Sequence, residues 1–422
     1  MCIRDRFKQD LGVIGLGYVG LPLVVESCNS GLKVFGYDNY SDKVKKLQNG
    51  TSPIEDISDE MLKKALQKDL TISDSPEALK DCEHIVISVP TPLTDYQPDL
   101  SYVKAAARTI AENISKDQVI ILESTTYPGT TIEVLIPEIE SISELKAGKD
   151  FYVGYSPERI DPGNETWNFK NTPKVISGID DSSTKKIKNF YEKIIDEVVE
   201  VSGTKEAEMV KLLENTYRHV NIAFINELAI LCNMLDIDIW EVVEAAKTKP
   251  FGFESFRPGP GVGGHCIPID PNYLSFKTRQ IGKPVRFVEL AQEINNTMPS
   301  YIVSRILEKM NSLQKPMKNS NILILGVAYK KDISDTRESP SIDIIENLVS
   351  KGVNVSFYDP YVESLDLNVS VNKEQDISNF DNYDLILFHT SHSEFSKINF
   401  QEIDVPIFDA TGTDYLSNSE RI

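Results

Sequence analysis

The chain comprises 422 residues, of which 41% are hydrophobic and 26% are charged, and its formal net charge is −20. This length exceeds that of one ordinary core and predicts two or three globular domains. The acidic excess excludes a general nucleic-acid-binding role, because phosphate backbones repel it, so specific basic groups must meet any phosphate ligand.

The composition also argues against membrane insertion and secretion. No apolar run approaches the roughly 20 residues that a membrane-spanning helix needs, and the opening MCIRDRFKQD lacks the apolar core of a signal peptide. Residues 1–6 read as an unstructured leader. The five cysteines show neither a disulfide framework nor a paired metal-ligand spacing. We therefore expect a cytoplasmic protein with no metal site.

The first predicted element is a βαβ unit. From Leu11 the chain reads LGVIGLGYVGLPLVVESCNSGLKVFGYD, which is an apolar strand, a glycine turn, a helix and a second strand that ends in an acid. Further strands are predicted at 84–90, 118–125 and 151–157, with helical or polar segments between them. This alternation predicts a parallel, doubly wound sheet in a first domain at residues 1–203.

The glycine turn predicts a dinucleotide site. Gly15, Gly17 and Gly20 form G-x-G-x-x-G at a strand-to-helix junction, where a pyrophosphate can approach the backbone and the helix N-terminus. Asp38 ends the next strand, 18 positions after Gly20. A carboxylate there accepts hydrogen bonds from a ribose 2′-hydroxyl and repels a 2′-phosphate, so NAD is favoured over NADP.

The rest of the chain predicts two further domains. Long helical periodicity runs through 204–312, interrupted by a Gly/Pro-rich stretch at 250–271, and a long apolar helix there favours a homodimer. Strands are again predicted at 321–329, 353–360 and 384–390, which indicates a second α/β domain at 313–422. The predicted fold class is therefore α/β, with two Rossmann-like doubly wound domains flanking a central all-helical domain.

The segment PGPGVGGHCIPIDP at 258–271 is the sharpest candidate for chemistry. Cys266 follows a glycine run that lets a substrate approach the backbone, and Asp270 lies four residues further on. A buried structural cysteine is the competing interpretation. His265 is a candidate base, although neighbours in sequence usually point apart.

Two other segments carry candidate groups. Lys211 and Asn215 are four apart on a predicted helix, so one face presents an ammonium and an amide that can hold an oxyanion. Glu158 and Arg159 lie in a Pro/Gly-bounded loop that follows a strand, where a carboxylate can act on a substrate or on water. An exposed polar stripe and a surface ion pair are the respective alternatives.

Seven motifs in this order resemble the UDP-glucose/GDP-mannose dehydrogenase family from about Leu11 to about Pro360. The sequences SPERIDPGN and PGPGVGGHCIPIDPNYL are most similar to those of the branch that oxidises UDP-N-acetylhexosamines, particularly UDP-N-acetylglucosamine. The motifs are GLGYVGLP (15–22), VPTP (89–92), ESTTYPGTT (123–131), SPERIDPGN (156–164), KLLENTYRHVNIAFINELA (211–229), PGPGVGGHCIPIDP (258–271) and GVAYKKDISDTRESPS (326–341).

The resemblance implies an NAD-dependent oxidation of the sugar's C6 alcohol to a carboxylate. Two hydrides leave in succession, and a cysteine adduct retains the intermediate aldehyde as a thiohemiacetal and then as a thioester. In the family's pattern Cys266 is the nucleophile and Glu158 assists the hydrolytic water. The oxyanion is held by Lys211 and Asn215, while Asp270 and Thr125 order the thiol and the water.

The resemblance also assigns binding residues for NAD and for a UDP-sugar. The implied cofactor residues are Gly15, Gly17, Tyr18, Val19, Gly20, Asp38, Lys43, Pro90, Thr91, Ser124, Thr125 and Arg337. The implied substrate residues are Glu158, Arg159, Lys211, Asn215, Arg257, Gly263 and Lys330.

The C-terminal domain departs from a dinucleotide site. It has one glycine, Gly326, where the first domain has three, whereas Lys330 and Arg337 can neutralise the phosphates of the sugar nucleotide. Family members often carry an arginine after the aspartate of the last strand, but this chain reads FDATGTDY at 408–415. A contact to the substrate diphosphate is then missing or supplied elsewhere.

Other interpretations stay open on the sequence alone. Within the family, UDP-glucose or GDP-mannose could be the substrate, because no single motif reads the sugar. An NAD-dependent β-hydroxyacid dehydrogenase explains the Lys-x-x-x-Asn pattern, but it explains neither Cys266 nor the second α/β domain. A non-catalytic sugar-nucleotide-binding protein would be expected to have lost the cysteine or the glycine triplet, and both are present.

Overall fold

A computed structural model describes residues 7–54, 57–94, 97–161, 164, 166–264, 266–377, 379–416 and 419–422. The predicted leader at 1–6 and the candidate base His265 lie outside the described residues. The chain divides into two compact units. The first comprises Met1–Glu214 with Asn272–Ile281, and the second comprises Asn215–Pro271 with Gly282–Ile422.

In its described residues the first unit contains ten strands and the helices that connect them. The strands are β1 (Gln9–Ile14), β2 (Val34–Tyr37), β3 (Leu70–Ser73), β4 (Cys82–Ile87), β5 (Leu93–Thr94), β6 (Gln97–Pro98), β7 (Val119–Leu122), β8 (Tyr152–Tyr155), β9 (Lys174–Gly178) and β10 (Val198–Glu200). The helices are α1 (Gly20–Asn29), α2 (Ser41–Gln48), α3 (Asp59–Leu66), α4 (Ser101–Asn113), α5 (Ile136–Ser143) and α6 (Asp181–Tyr191).

Eight of these strands form one sheet in the order β10-β9-β8-β7-β4-β1-β2-β3. Strand β7 (VIIL) is apolar and buried along its whole length, and β4 (CEHIVI) is apolar and buried in its second half, as in the interior of a parallel sheet. From β3 to β8 the pairs are parallel, in the 3-2-1-4-5-6 order of a dinucleotide-binding fold. The parallel pairing of the strands predicted at 84–90, 118–125 and 151–157 is confirmed, whereas strand β9, which was not predicted, runs antiparallel to β8.

Four helices fall within the predicted helical region, and α7 and α9 each run from one unit into the other along the chain. They are α7 (Thr204–Met234), α8 (Ile239–Lys247), α9 (Asp270–Gln280) and α10 (Arg286–Ser312). Where the chain is described, none of its helices is long and apolar enough to cross a membrane.

The second unit contains another sheet with the same strand order. Its elements are β11 (Asn321–Leu325), α11 (Pro340–Ser350), β12 (Asn354–Tyr358), β13 (Asn372–Lys373), β14 (Leu385–Phe388), β15 (Ile407–Asp409) and β16 (Glu420–Arg421). The order is β13-β12-β11-β14-β15-β16 and all pairs are parallel. One apolar core joins helical residues such as Trp240 and Ile302 to strand residues such as Ile324. The predicted fold class is confirmed, while the boundaries after 203 and 312 stay a prediction.

Candidate functional site

The glycine turn between β1 and α1 leaves open space at one position only. Gly15 adopts φ +94°, and a Cβ on Gly20 would lie 1.9 Å from the Gly15 carbonyl oxygen, so the first and third glycines serve the protein's own packing. A Cβ on Gly17, in contrast, would meet no protein atom within 4 Å. The turn therefore offers backbone and helix N–H groups to a ligand at Gly17, as a pyrophosphate requires. Tyr18 and Val19, which complete the turn, are half-buried.

Asp38 follows β2, and its hydrogen bonds hold the glycine turn between β1 and α1 in place. Its Oδ2 accepts the Leu16 N–H at 2.9 Å and the Lys43 ammonium at 2.7 Å, and its Oδ1 accepts the Tyr40 N–H at 3.2 Å. The carboxylate thus lies at the end of β2 beside the glycine turn, where a ribose hydroxyl is bound in dinucleotide folds. The residues present fit the adenosine half of NAD.

Hydrogen bonds connect the ends of four neighbouring strands. Ser88 donates through Oγ to the Gly15 carbonyl at 2.8 Å, and Ser124 donates to the Val89 carbonyl at 2.8 Å. The Tyr155 hydroxyl donates to the Ser124 carbonyl at 3.3 Å. Pro90 and Thr91 follow β4, and Thr125 is half-buried after β7. Several predicted cofactor residues therefore share one edge of the sheet.

Glu158 is buried after β8 and is held as an anion. Its Oε1 accepts the N–H groups of Arg159 at 2.7 Å and Ile160 at 2.8 Å, and its Oε2 accepts the Lys174 ammonium at 2.7 Å. Burial raises the pKa of Glu158, but attraction to Lys174, these hydrogen bonds and the charge of Lys211 outweigh it and lower the pKa. The structure thus brings Glu158 and Lys211 within electrostatic range of each other, and it adds Lys174, which the sequence analysis missed.

Arg159 is already engaged by protein groups. Its guanidinium forms a two-pronged pair with Glu214, with the Nη2–Oε1 distance at 2.7 Å, and it donates to the Pro173 carbonyl at 2.7 Å. An acetamido oxygen would have to compete with a carboxylate for these donors. The structure therefore gives Arg159 a clear role in fixing the loop after Glu158, and its predicted contact with substrate stays a prediction.

Cys266 lies in the turn that begins α9. The Cys266 carbonyl accepts the Asp270 N–H at 2.8 Å, and the Asp270 carboxylate accepts the Asn215 amide at 2.5 Å. Asp270 is buried, whereas Cys266 is half-buried. Three of the predicted catalytic residues are thus brought together in the second unit, with the thiol on a turn that an adjacent helix N-terminus follows.

A cleft of ≈ 220 Å³ lies in the second unit beside the glycine run. It is lined by Pro258, Gly259, Gly263, Lys330, Lys331, Thr390 and Thr411, among others. A Cβ on Gly263 would lie 2.6 Å from Cβ of Tyr329, so this glycine lets the run pack against the loop that carries Lys330. The two lysines supply positive charge to an acidic protein at this cleft, as a diphosphate needs.

The remaining basic candidates are paired with acids. Arg337 binds Asp335 at 2.6 Å, and Arg257 binds Glu244 at 2.9 Å, with each arginine about half exposed. Arg421 on β16 lies 3.8 Å from Asp409, at the strand end where family members often carry an arginine.

The second sheet also has an aspartate after its second strand, but the carboxylate there bonds only protein groups. Asp359 follows β12 as Asp38 follows β2, and its Oδ2 accepts the N–H groups of Val327 at 2.7 Å and Ala328 at 3.1 Å. It also meets Nε2 of His392 at 2.9 Å. With the side chain only 1% exposed, Asp359 has no lone pair to offer a ribose.

Comparisons with known proteins cover nearly the whole chain. The NAD binding domain, central domain and UDP binding domain models of the UDP-glucose/GDP-mannose dehydrogenase family match residues 9–195, 205–297 and 323–413. A Salmonella typhi protein named UDP-N-acetyl-D-glucosamine 6-dehydrogenase is 34% identical over 397 residues, which is 93% of this chain and 92% of that protein.

Two solved structures are similar along their full length. The structure of a UDP-D-ManNAc dehydrogenase from Pyrococcus horikoshii has a TM-score of 0.87 at 32% identity and covers 97% of this chain and 97% of its own. That of a UDP-glucose dehydrogenase from Pyrobaculum islandicum has a TM-score of 0.89 at 25% identity and covers 100% and 98%. The matched NAD binding domain includes the glycine turn and Asp38, so the cofactor is NAD.

The open space at Gly17 generates a prediction about binding. Gly17→Ala should leave the thermal unfolding midpoint unchanged, since its Cβ meets no protein atom within 4 Å. It should weaken NAD binding by about tenfold or more, because a methyl group in filled space costs roughly 1–3 kcal/mol. Calorimetric titration with NAD and thermal unfolding measure the two effects. As a control, Gly20→Ala should lower stability. Parental NAD affinity in Gly17→Ala would contradict the assignment.

Proposed function

Because the chain belongs to the UDP-glucose/GDP-mannose dehydrogenase family and is an NAD-dependent UDP-sugar dehydrogenase, we propose that it oxidises the C6 alcohol of a UDP-N-acetylhexosamine to a carboxylate through a thioester on Cys266. The observation that carries this proposal is the framework around the thiol, in which Asn215 bonds Asp270 and Asp270 closes the Cys266 turn.

In the first half of the reaction the C6 alcohol loses a hydride and its hydroxyl proton, the proton passing to solvent, and the resulting aldehyde is captured. The Cys266 thiolate adds to the carbonyl carbon, a carbon–sulfur bond forms, and the oxygen gains the charge that Lys211 and Asn215 stabilise. Bound NAD supplies the acceptor for the hydride lost in each of the two oxidations. Loss of the second hydride converts the adduct to a thioester.

The second half of the reaction releases the acid. Water bonds to the thioester carbon, the carbon–sulfur bond breaks, and Cys266 leaves as a thiolate. One proton of the water passes to Glu158 and the other remains on the carboxylic acid until it is lost to solvent. Glu158 suits this role because its lowered pKa keeps it ionised and able to accept a proton. Thr125, after β7, is assigned to order the water.

Stoichiometry and two variants test the covalent route. Each sugar consumed should yield two NADH without accumulation of free aldehyde, because the adduct retains the intermediate. Cys266→Ala should abolish acid formation, and Glu158→Gln should slow thioester hydrolysis about 100-fold, so that intact-protein mass spectrometry detects a sugar adduct. Cys232→Ala, at another half-buried cysteine, is the matched control and should keep its activity. One NADH per sugar, or acid from Cys266→Ala, would refute the mechanism.

The proposed preference for an N-acetylated sugar rests on the motif sequences, which resemble those of one branch of the family, and on Arg257. This residue is half exposed, bonds Glu244 at 2.9 Å, and directly precedes Pro258 of the cleft. Its guanidinium is more available for an acetamido carbonyl than that of Arg159, which both Glu214 and a backbone carbonyl engage. We propose UDP-N-acetylglucosamine or its galacto epimer as substrate, with the manno epimer as the rival that the Pyrococcus horikoshii relative favours.

Competition kinetics test the sugar. The preferred UDP-N-acetylhexosamine should exceed UDP-glucose and GDP-mannose in kcat/KM by about tenfold or more, as one added hydrogen bond allows. Arg257→Met should reduce that preference, whereas Lys247→Met, which removes another partner of Glu244, should not. A preference for UDP-glucose would overturn the sugar assignment and leave the reaction type intact. A preference for the manno epimer would support the rival.

We propose that two copies of the chain associate through helical residues of the second unit. Phe224 and Leu231 lie seven apart on α7, so they share a helix face, and they are 55% and 47% exposed. Phe224 and Phe253 also line an apolar groove of ≈ 440 Å³. A second copy of this surface is the natural occupant, because a symmetric dimer buries the same patch on each partner.

Solution mass tests this association. The parent chain should sediment as a dimer, and Phe224→Glu should shift it toward monomer because a charge would then enter the apolar contact. Tyr102→Glu, at an exposed aromatic residue of α4, is the control and should remain dimeric. A monomeric parent would refute the dimer without affecting the proposed chemistry.

We propose a cytoplasmic location. Among the cysteines of the described chain, Cys28, Cys82, Cys232 and Cys266 form no disulfide with one another. A thiolate nucleophile is preserved in a reducing compartment, where competing oxidation is slow.

A further inference from the structure

A buried charge network surrounds Glu158 on the first unit's sheet. Its members are Glu123 after β7, Glu158 after β8, Lys174 at the start of β9 and Tyr191 at the end of α6. The Lys174 ammonium lies 2.7 Å from Oε2 of Glu158 and 2.9 Å from Oε1 of Glu123. The Tyr191 hydroxyl donates to the same oxygen of Glu123. Four separate elements thus deliver one connected set of polar groups to a buried position.

The network holds two carboxylates and a single cation. Burial raises the pKa of Glu123, with repulsion by Glu158 adding to it, and Lys174 does not fully offset the rise. Burial lowers the pKa of Lys174, but the two carboxylates reverse this and raise it. Glu158 has the opposite outcome, because the lysine prevails over burial. The Lys174 charge therefore stabilises the ionised form of Glu158, and Glu123 is the carboxylate that more readily holds a proton.

We propose that Lys174 is a positioning residue for the hydrolytic step, and that its ammonium, anchored by Glu123, keeps Glu158 ionised and pointed in one direction. The inference rests on the proposed function, since it assigns Lys174 to the carboxylate that takes the proton of the hydrolytic water. When that proton arrives at Glu158, the Lys174 charge favours its prompt release, so the carboxylate is restored before the next turnover.

Stability alone is a poor explanation for these charges. A buried ion pair often contributes less than apolar residues of similar volume would, because both ions lose their hydration. Apolar surroundings are at hand, since the Lys174 ammonium lies 5.6 Å from the centre of the Phe169 ring and 5.5 Å from that of Tyr191. An aliphatic side chain at the start of β9 would fit such surroundings. The charge is better accounted for by what it does to Glu158.

The other charges that act on Glu158 set the size of the expected effect. Lys211 on α7 also lowers the pKa of Glu158, so one cation remains when Lys174 is removed. Tyr191 is neutral, because burial and Glu123 raise its pKa well above the ordinary value. The guanidinium of Arg159 is paired with Glu214. Removal of Lys174 should therefore raise the pKa of Glu158, whereas Glu123→Gln should leave it in place, because Glu123 takes up its proton before Glu158 does.

The pH profile of thioester hydrolysis tests the proposal. The full-length enzyme is mixed rapidly with NAD and UDP-N-acetylglucosamine, and decay of the Cys266 thioester is followed by quenched-flow mass spectrometry across pH. Lys174→Met should slow the decay about tenfold or more near neutral pH and move its acid limb to higher pH. Glu123→Gln, which keeps hydrogen-bonding atoms, should leave the acid limb in place, because Glu123 is already protonated where Glu158 titrates. Lys174→Arg should restore the parental profile.

Controls keep the outcomes separable. Lys188→Met removes a lysine from a surface pair with Glu200 and should leave the profile unchanged. If Lys174→Met does not fold, the double variant Lys174→Met/Glu123→Gln leaves one buried carboxylate and should still show the upward shift. An unmoved acid limb in Lys174→Met, or a limb that moves as far in Glu123→Gln as in Lys174→Met, would overturn the inference. Failure of the parent to form NADH or a thioester would instead refute the proposed function.

Discussion

The parallel register of β1, β4, β7 and β8 is the constraint on which the first unit's chemistry depends. Parallel strands present their carboxyl ends at one edge, so loops far apart in sequence converge there. Hydrogen bonds from Ser88, Ser124 and Tyr155 then tie each strand end to its neighbour. The glycine turn, the VPTP loop, the ESTT loop and Glu158 are consequently fixed relative to one another before any ligand binds.

The two sheets show how one topology acquires different ligands. Asp38 and Asp359 both accept an N–H group from the turn after the first strand of their sheet. Asp38 lies beside an open glycine turn and accepts two backbone N–H groups and the Lys43 ammonium, while Asp359 is closed off by His392 and four backbone N–H groups. The second sheet instead presents lysines to its cleft. The two sheets therefore share a strand order but present different chemical groups to their ligands.

Local patterns predicted what depends on local spacing. The glycine triplet, the acid after β2 and the apolar strands followed from periodicity, and the cysteine stood out by its glycine-rich setting. Lys174 was missed because its partners, Glu158 and Glu123, lie 16 and 51 positions away in sequence. The local sequence PKVISG does not indicate them. A lysine opening an apolar strand was the available signal. The antiparallel direction of β9 and the Arg159–Glu214 pair likewise depend on tertiary contacts that spacing does not encode.

The packing of the glycine run on the loop after β11 joins recognition to chemistry. The Gly264 N–H bonds the Arg337 carbonyl at 2.9 Å, and Gly263 leaves no room for a side chain against Tyr329. The thiol is thus two residues from a backbone contact with the segment that carries Lys330. Chimeric enzymes that exchange C-terminal domains to alter nucleotide choice must inherit both segments from one parent, because a mismatched pair would displace the nucleophile along with the binding loop.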